Sequence, residues 1–183
     1  MKRSRVLLVS TALLLSLAAA WTLSVAAAER ATTTIIVVRH AEKQAESGDP
    51  SLSDDGRARA EALARTLADA GITGLSATPY RRTQQTLEPL AGRTGLEIEV
   101  QPVDLSSPED YASDLAAGLL ETYAGGTVVV AGHSNTVPLL LEALGVAGPR
   151  SIGDDEYDDL FVVQVVAGKA PLLLQLHYGE PSP

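Results

Sequence analysis

Cysteine is absent from the sequence, and basic residues are scarce. Without cysteine the chain forms no disulfide, no thiolate metal site and no cysteine nucleophile, and attachment of a lipid to a cysteine after the apolar N-terminus is excluded. The 14 lysines and arginines are outnumbered by 23 aspartates and glutamates, which gives a formal net charge of −9. Such an acidic chain is a poor candidate for binding nucleic acid or anionic membrane surfaces, so an anionic substrate must be bound by a local cluster of cations.

The first 28 residues have the layout of a secretory signal peptide. Three basic residues in the first five positions precede an almost wholly apolar run over 6–20, and an Ala-x-Ala cleavage pattern ends at Ala28. Because such segments are removed on export, we predict a signal peptide over 1–28 and an exported protein, periplasmic or extracellular. The apolar run continues to Ala28 and is long enough to span a bilayer, so an uncleaved N-terminal membrane anchor is the alternative.

The remaining residues, 29–183, have a normal size for one domain with its own core. Removing 1–28 takes away three of the 14 basic residues and none of the 23 acidic ones, which leaves a formal net charge of −12. No internal repeat or low-complexity linker divides this part of the chain. We therefore predict one domain, with no nucleic-acid partner and no membrane partner beyond a possible N-terminal anchor.

Apolar runs alternate with amphipathic helical patterns along this domain. The run at 33–38 is apolar on both faces, which is typical of a parallel strand covered by helices, whereas 96–103 alternates apolar and polar residues and predicts a sheet edge. The alternation of strands and helices along the chain predicts an α/β fold, a three-layer α/β/α sandwich with a mostly parallel sheet. The other predicted strands are 75–78, 127–132, 160–166 and 172–178, and the predicted helices are 56–70, a helix from 79, 107–123 and 138–144.

Two histidines and two arginines follow strands of this predicted sheet. Arg39 and His40 come directly after the first strand, and His133 comes after the strand at 127–132. Because ligand sites in open α/β sheets form beyond the carboxyl ends of the strands, these side chains converge if the two strands are neighbours, with Arg82 reaching in from a helix start. Each of these groups alone could be an ordinary surface side chain. Together they suit a phosphoryl group, because guanidinium groups match phosphate oxygens and an imidazole can attack phosphorus.

Four motifs carry a resemblance to a known family. They are Arg39-His40-Ala41, the stretch 52–56 at the start of the first helix, the stretch 78–86, and Gly132-His133-Ser134. In this order they resemble the histidine phosphatase superfamily, whose fold is phosphoglycerate-mutase-like, over about 35–178. Ala41 stands where many members have glycine, which resembles the short branch that contains phosphohistidine phosphatases and argues against a specialised mutase.

The resemblance also implies a role for each matching residue. It implies that His40 is the nucleophile that becomes phosphohistidine, that Arg39 and Arg82 bind phosphate, and that His133 is the second histidine of the site. Arg81 is expected to be an exposed neighbour. No cofactor and no metal are implied, because the cationic side chains supply the charge stabilisation that a metal would give.

The general acid of the family is a carboxylate after the third strand, and no full motif for it occurs here. Asp104 is the first candidate because it ends that strand, and Glu109 is the second. Asp155 and Glu156, in the acidic loop before the last two strands, are the third possibility. Any of them needs a raised pKa to donate a proton near neutral pH.

Two other functions are compatible with parts of the sequence. Gly132-His133-Ser134 superficially resembles a nucleophile elbow, which would make the protein a serine hydrolase with Ser134 as nucleophile and His177 as base. That alternative gives no role to Arg39 or to His40, and Thr136 would crowd the tight turn. If no carboxylate reaches the leaving group, a phosphate-binding pseudoenzyme without turnover is the other alternative.

The sequence therefore predicts an exported, metal-independent phosphomonoesterase that acts on a small phosphorylated substrate through a phosphohistidine intermediate on His40. Specificity is expected to depend on the loops 43–50 and 106–111. Export favours an envelope or environmental phosphate ester over a cytosolic glycolytic substrate. The sequence does not indicate an oligomeric state.

Overall fold

A computed structural model describes residues 32–104 and 106–182, and the signal peptide or anchor predicted over 1–28 lies outside them. Six strands and four helices alternate in these residues as the sequence predicts, and the predicted α/β fold class is confirmed. The strands are β1 Thr33–Arg39, β2 Gly74–Ala77, β3 Ile98–Val100, β4 Thr127–Gly132, β5 Asp159–Val165 and β6 Leu172–His177. The helices are α1 Asp54–Thr66, α2 Arg81–Thr94, α3 Pro108–Thr122 and α4 Thr136–Ala143. None of these four helices is long and apolar enough to cross a membrane.

The strands form one sheet in the order β3-β2-β4-β1-β5-β6. The first four strands in this order are parallel, and β5 and β6 complete the sheet as an antiparallel pair. The predicted proximity of the first and fourth strands is confirmed, because β1 and β4 pair in parallel with Arg39 opposite Gly132. The His40 N–H donates to the carbonyl of Gly132 over 2.9 Å, so both histidines leave the sheet at the same edge.

Two hydrophobic cores lie on the two faces of the sheet. Residues of β1 alternate between them: Ile35 and Val37 pack with α3 and α4, whereas Ile36 and Val38 pack with α1 and α2. This arrangement explains why β1 and β4 are apolar on both faces, since each is covered by helices on both sides.

Some element boundaries differ from the sequence prediction. The N-cap of α1 is Ser53, as predicted, and its Oγ accepts the Gly56 N–H over 3.1 Å. This helix ends four residues before the predicted boundary at 70. The edge strand β3 has three residues instead of the predicted eight, because it pairs only with β2 and its alternating pattern continues past the end of that pairing.

The segment after His40 is held against α1 by a close contact and a buried ion pair. A Cβ atom at Gly56 would lie 2.1 Å from the carbonyl oxygen of Glu42, so only glycine fits there. The Arg59 guanidinium binds the Glu42 carboxylate, with an Nη2–Oε1 distance of 2.7 Å, and the Arg59 side chain is 5% exposed. Arg59 Nη1 also donates to the carbonyl of Tyr178 over 3.0 Å, which connects this segment to the end of β6.

Replacing Arg59 with alanine is expected to lower the free energy of unfolding by about 3 kcal/mol, because the substitution leaves the Glu42 carboxylate without its partner in a largely buried position. Urea denaturation measures the change. Arg93→Ala is the matched control, since Arg93 also binds a glutamate, Glu61, over 3.3 Å, but both side chains are largely exposed. We expect the control to change the stability by less than about 1 kcal/mol, and equal effects of the two substitutions would contradict this interpretation.

Candidate active site

The four residues that the sequence selects lie together at the carboxyl ends of β1 and β4. The ring centroids of His40 and His133 are 5.4 Å apart. The Nη2 atom of Arg82, in the first turn of α2, is 3.4 Å from Nδ1 of His133. Arg39, His40 and His133 are buried, and the side chain of Arg82 is 15% exposed. A compact cluster of two imidazoles and two guanidinium groups results, as the sequence predicts.

His40 presents an unprotonated nitrogen for attack on an electrophile. Its Nδ1 atom is 2.8 Å from the carbonyl oxygen of Ala41. Because a carbonyl only accepts hydrogen bonds, Nδ1 carries the proton and Nε2 keeps its lone pair. Burial lowers the pKa of His40 to about 3. The hydrogen bond to Ala41 acts in the opposite direction, and electrostatic repulsion from His133, Arg39 and Arg82 adds to the lowering. His40 is therefore neutral near neutral pH, which is the form that a nucleophile needs.

His133 is held between Thr78 and Arg82. Its Nε2 atom is 3.0 Å from Thr78 Oγ1, and its backbone N–H donates to Thr136 Oγ1 over 3.0 Å. Burial lowers the pKa of His133 to about 4, with a further contribution from the positive charges of Arg82 and Arg39. The second imidazole is therefore also neutral while the site holds no anion.

Each of the two arginines leaves its Nε–H group buried without a hydrogen-bond partner among the described residues. Nη1 of Arg39 donates to the carbonyls of Gly153 over 2.7 Å and Glu156 over 2.9 Å. A buried donor without a partner costs roughly 1–3 kcal/mol, so such groups in a native fold call for an explanation. An anion between the guanidinium groups would satisfy both donors.

Two tyrosines stack on these arginines, and sequence reasoning missed both. The guanidinium carbon of Arg39 is 4.1 Å from the ring centroid of Tyr157, and that of Arg82 is 4.3 Å from the centroid of Tyr80. Such cation–π contacts fix the planes of the guanidinium groups. Tyr80 could have been noticed because it precedes the two arginines of α2, whereas Tyr157 lies 117 positions after His40 and carries no comparable signal.

The structure does not bring the predicted general acids into contact with either histidine. The carboxylate of Asp104 is fully exposed and accepts hydrogen bonds from Ser106 Oγ over 2.6 Å and Ser106 N over 2.8 Å, which lower its pKa. That shift opposes proton donation. Glu109 is exposed in the first turn of α3, and neither carboxylate has a described contact with the site. Proton donation by Asp104 or Glu109 stays a prediction.

The acidic loop supplies backbone groups to the site, and its carboxylates have other contacts. Glu156 Oε2 accepts the Gly153 N–H over 2.9 Å and binds Arg150 over 2.7 Å, and these contacts lower the pKa of Glu156. Asp155 is exposed. The carboxylate that does lie beside a site arginine is Asp49, which sequence reasoning missed. Its Oδ1 atom is 3.8 Å from Arg82 Nη1.

The geometry of a serine hydrolase is not present at Ser134. No described hydrogen bond joins Ser134 to His177, the predicted base. His177 is exposed at the sheet edge on β6, where its Nδ1 lies 3.3 Å from Asp158. Since β1 and β5 separate β4 from β6, the two strands are about 14 Å apart. Among residues 32–104 and 106–182, no three His, Cys, Asp or Glu side chains form a group suited to a metal ion.

The profile of the histidine phosphatase superfamily (branch 1) matches residues 35–103, which contain Arg39, His40 and Arg82. Over these residues the chain resembles the histidine phosphatase superfamily. An 8-oxo-(d)GTP phosphatase of Mycolicibacterium smegmatis is 38% identical over 122 residues, which cover 61% of this chain and 37% of that protein. The chain thus spans less than two fifths of the length of the curated relatives that it matches.

Solved structures of two phosphatases share the fold of this chain. A mycobacterial glucosyl-3-phosphoglycerate phosphatase superposes with a TM-score of 0.63 at 18% identity, over 81% of this chain and all of that one. The protein histidine phosphatase SixA, complexed with tungstate, superposes with a TM-score of 0.61 at 19% identity, over 79% of this chain and 96% of that one. At these identities the likeness establishes the architecture alone, so the activity has to be argued from the residues of the site.

Proposed function

We propose that the protein is a phosphomonoesterase that hydrolyses a small phosphorylated substrate through a phosphohistidine intermediate on His40. The observation that supports this most directly is the pair of buried Nε–H groups of Arg39 and Arg82, which lack protein partners in the described part of the chain. Guanidinium donors beside an unprotonated imidazole suit a tetrahedral dianion, since phosphate oxygens accept several such hydrogen bonds at once.

In the proposed reaction, Nε2 of His40 attacks phosphorus in line with the leaving oxygen. The N–P bond forms as the P–O bond to the leaving group breaks, and the leaving oxygen takes a proton from a general acid, for which Asp104 is the first candidate. Arg39, Arg82 and His133 stabilise the negative charge on the equatorial oxygens. Water then attacks phosphorus and releases inorganic phosphate and His40. The positive side chains supply the charge stabilisation, so we propose that no metal is needed.

Relatives and structural neighbours support a phosphorylated substrate without identifying it. Their names describe phosphatases for 8-oxo-(d)GTP, glucosyl-3-phosphoglycerate, phosphoserine and protein histidine. We further propose that the protein is exported, on the pattern of residues 1–28 alone, which favours a phosphate ester of the envelope or the environment.

Hydrolysis of p-nitrophenyl phosphate and p-nitrophenyl acetate by the full chain, with EDTA present, tests this proposal. We expect release of p-nitrophenol from the phosphate ester and not from the acetate ester, with unchanged phosphate hydrolysis in the Ser134→Ala variant. Acetate hydrolysis that disappears in Ser134→Ala would contradict the proposal and favour a serine hydrolase. Binding of inorganic phosphate without hydrolysis of any phosphate ester tested would favour the phosphate-binding pseudoenzyme.

A further inference from the structure

A short chain of buried hydroxyl groups contacts His133 on the side away from Arg82. Nε2 of His133 is 3.0 Å from Thr78 Oγ1, which is 2.8 Å from Thr83 Oγ1. Thr83 Oγ1 lies in turn 2.8 Å from the carbonyl oxygen of Tyr80 and 3.0 Å from that of Thr78. Thr83 is 0% exposed and Thr78 2%. Each hydroxyl has only one hydrogen, so the direction of every hydrogen bond in this chain depends on the next.

Two carbonyl oxygens at one end of this row of hydroxyl groups fix the direction of the hydrogen bonds along it. A carbonyl only accepts, and a hydroxyl oxygen at 2.8–3.0 Å from two carbonyl oxygens must direct its hydrogen toward them. The hydrogen of Thr83 is then used, so Thr83 Oγ1 accepts from Thr78. The hydroxyl of Thr78 has thereby also given its hydrogen, and its oxygen accepts from Nε2 of His133. His133 must carry its proton on Nε2.

The contact on the opposite side of the His133 ring independently indicates the same tautomer. Nδ1 of His133 faces Nη2 of Arg82 at 3.4 Å. A guanidinium group has only donors, so Nδ1 must be the nitrogen with the lone pair. Two sets of contacts, one with a hydroxyl chain and one with an arginine, therefore agree on a proton at Nε2 and none at Nδ1.

We propose that Thr83 and Thr78 are positioning residues that hold His133 as its Nε2–H tautomer, with the Nδ1 lone pair on the side of Arg82. His40 has the opposite tautomer, with its proton on Nδ1 bound to the carbonyl of Ala41. Each histidine thus keeps one unprotonated nitrogen, and the two ring centroids are 5.4 Å apart. One attacks phosphorus, and the other accepts a proton.

The consequence rests on the proposed function. When a phosphate monoester binds as its monoanion, the Nη2–H of Arg82 leaves Nδ1 of His133 and donates to a phosphoryl oxygen instead. The acidic O–H bond of the ester then breaks and an Nδ1–H bond forms on His133. The products are a phosphoryl dianion and an imidazolium whose two N–H groups both have acceptors, the phosphoryl oxygen and Thr78 Oγ1. The net charge of the complex is unchanged, and the arginines then face the dianion that they bind best.

Nitrogen-15 NMR of histidine-labelled full chain tests the tautomer without any substrate. We expect the His133 signals of the Nε2–H form in the unmodified protein, assigned by their loss in His133→Asn. In Thr83→Val only the long 3.4 Å contact with Arg82 still favours the Nε2–H form, so we expect a mixture of tautomers. In Thr83→Ser, which restores the hydroxyl, we expect the Nε2–H form alone. An Nδ1–H form in the unmodified protein would overturn the proposal, and that result does not depend on how well any Thr83 variant folds.

The catalytic effect is measured on the same variants with p-nitrophenyl phosphate. Thr83→Val is expected to lower kcat/KM by about fivefold, the equivalent of one buried neutral hydrogen bond, and Thr83→Ser to restore it. A Thr83→Val protein with unchanged tautomer and unchanged rate would also overturn the proposal. If the unmodified protein shows the Nε2–H form but hydrolyses no phosphate ester, the proposed function fails while the assignment of Thr78 and Thr83 stands.

Discussion

Replacing His40 with asparagine is expected to abolish phosphatase activity, with a loss in kcat of about 10⁴-fold or more. In the proposed reaction Nε2 of His40 forms the bond to phosphorus, so we expect no other group to replace it. Asparagine is the variant of choice because its amide can still donate to the carbonyl of Ala41, as Nδ1 of His40 does over 2.8 Å. Steady-state hydrolysis of p-nitrophenyl phosphate measures the loss.

Binding of inorganic phosphate distinguishes a chemical effect of His40→Asn from misfolding of the variant. Inorganic phosphate is expected to raise the melting temperature of His40→Asn as well as that of the unmodified protein, because both arginines remain in place. Ser134→Ala is the control for a general loss of rate, and we expect it to retain full phosphate hydrolysis. Retention of more than a tenth of the activity in His40→Asn would show that another group attacks phosphorus.

Replacing Arg82 with alanine is expected to lower kcat/KM by about 10²–10³-fold, the usual cost of removing one donor that stabilises the charge of a transition state. The guanidinium group of Arg82 is largely buried and is 3.4 Å from Nδ1 of His133, and its Nε–H has no partner within the described part of the chain. Arg82→Lys keeps a charge and loses the paired donors, so we expect it to recover only part of the loss.

Arg81 provides a matched control in the adjacent position. Its side chain is 67% exposed, against 15% for Arg82, although both lie within 4 Å of the Asp49 carboxylate. We expect Arg81→Ala to change kcat/KM by less than about twofold, because an exposed ion pair contributes little. Equal losses in the two variants would mean that a general positive potential, and not a specific contact with phosphate, explains the effect of Arg82.

The sequence predicts the fold and the centre of the site because both depend on local patterns. β-branched residues apolar on both faces identify β1 and β4 as interior strands, and the carboxyl ends of such strands meet where ligands bind. His40 and His133 follow these strands directly, so their proximity needs only the pairing of two neighbouring strands. Arg82 is predictable for a similar reason, since it lies in the first turn of a helix that begins at the same edge.

Residues that reach the site from distant segments could not be predicted. Tyr157 stacks on Arg39 only because the backbone of the acidic loop accepts hydrogen bonds from that arginine. Asp49 lies beside Arg82 because the path of an irregular loop places it there. Neither contact has a sequence pattern, since each joins segments that are far apart in the chain.

The position of Asp104 shows how an error in a predicted strand boundary affects the prediction of the general acid. The alternation over 96–103 suggests a strand that would carry Asp104 to the edge of the sheet near the histidines. The strand ends at Val100, where its partner strand β2 ends at Ala77, and Asp104 lies four residues further on in an exposed position. The carboxylate of Asp104 then binds Ser106 and stays exposed.

Trapping the phosphorylated enzyme tests the central claim most directly. The full chain is mixed with radiolabelled p-nitrophenyl phosphate, quenched in alkali, in which phosphohistidine survives, and digested for mass spectrometry. We expect the label on the peptide that contains His40, attached at Nε2, and no label in His40→Asn. Rapid hydrolysis with no label on His40, or a label on another residue, would contradict the phosphohistidine mechanism.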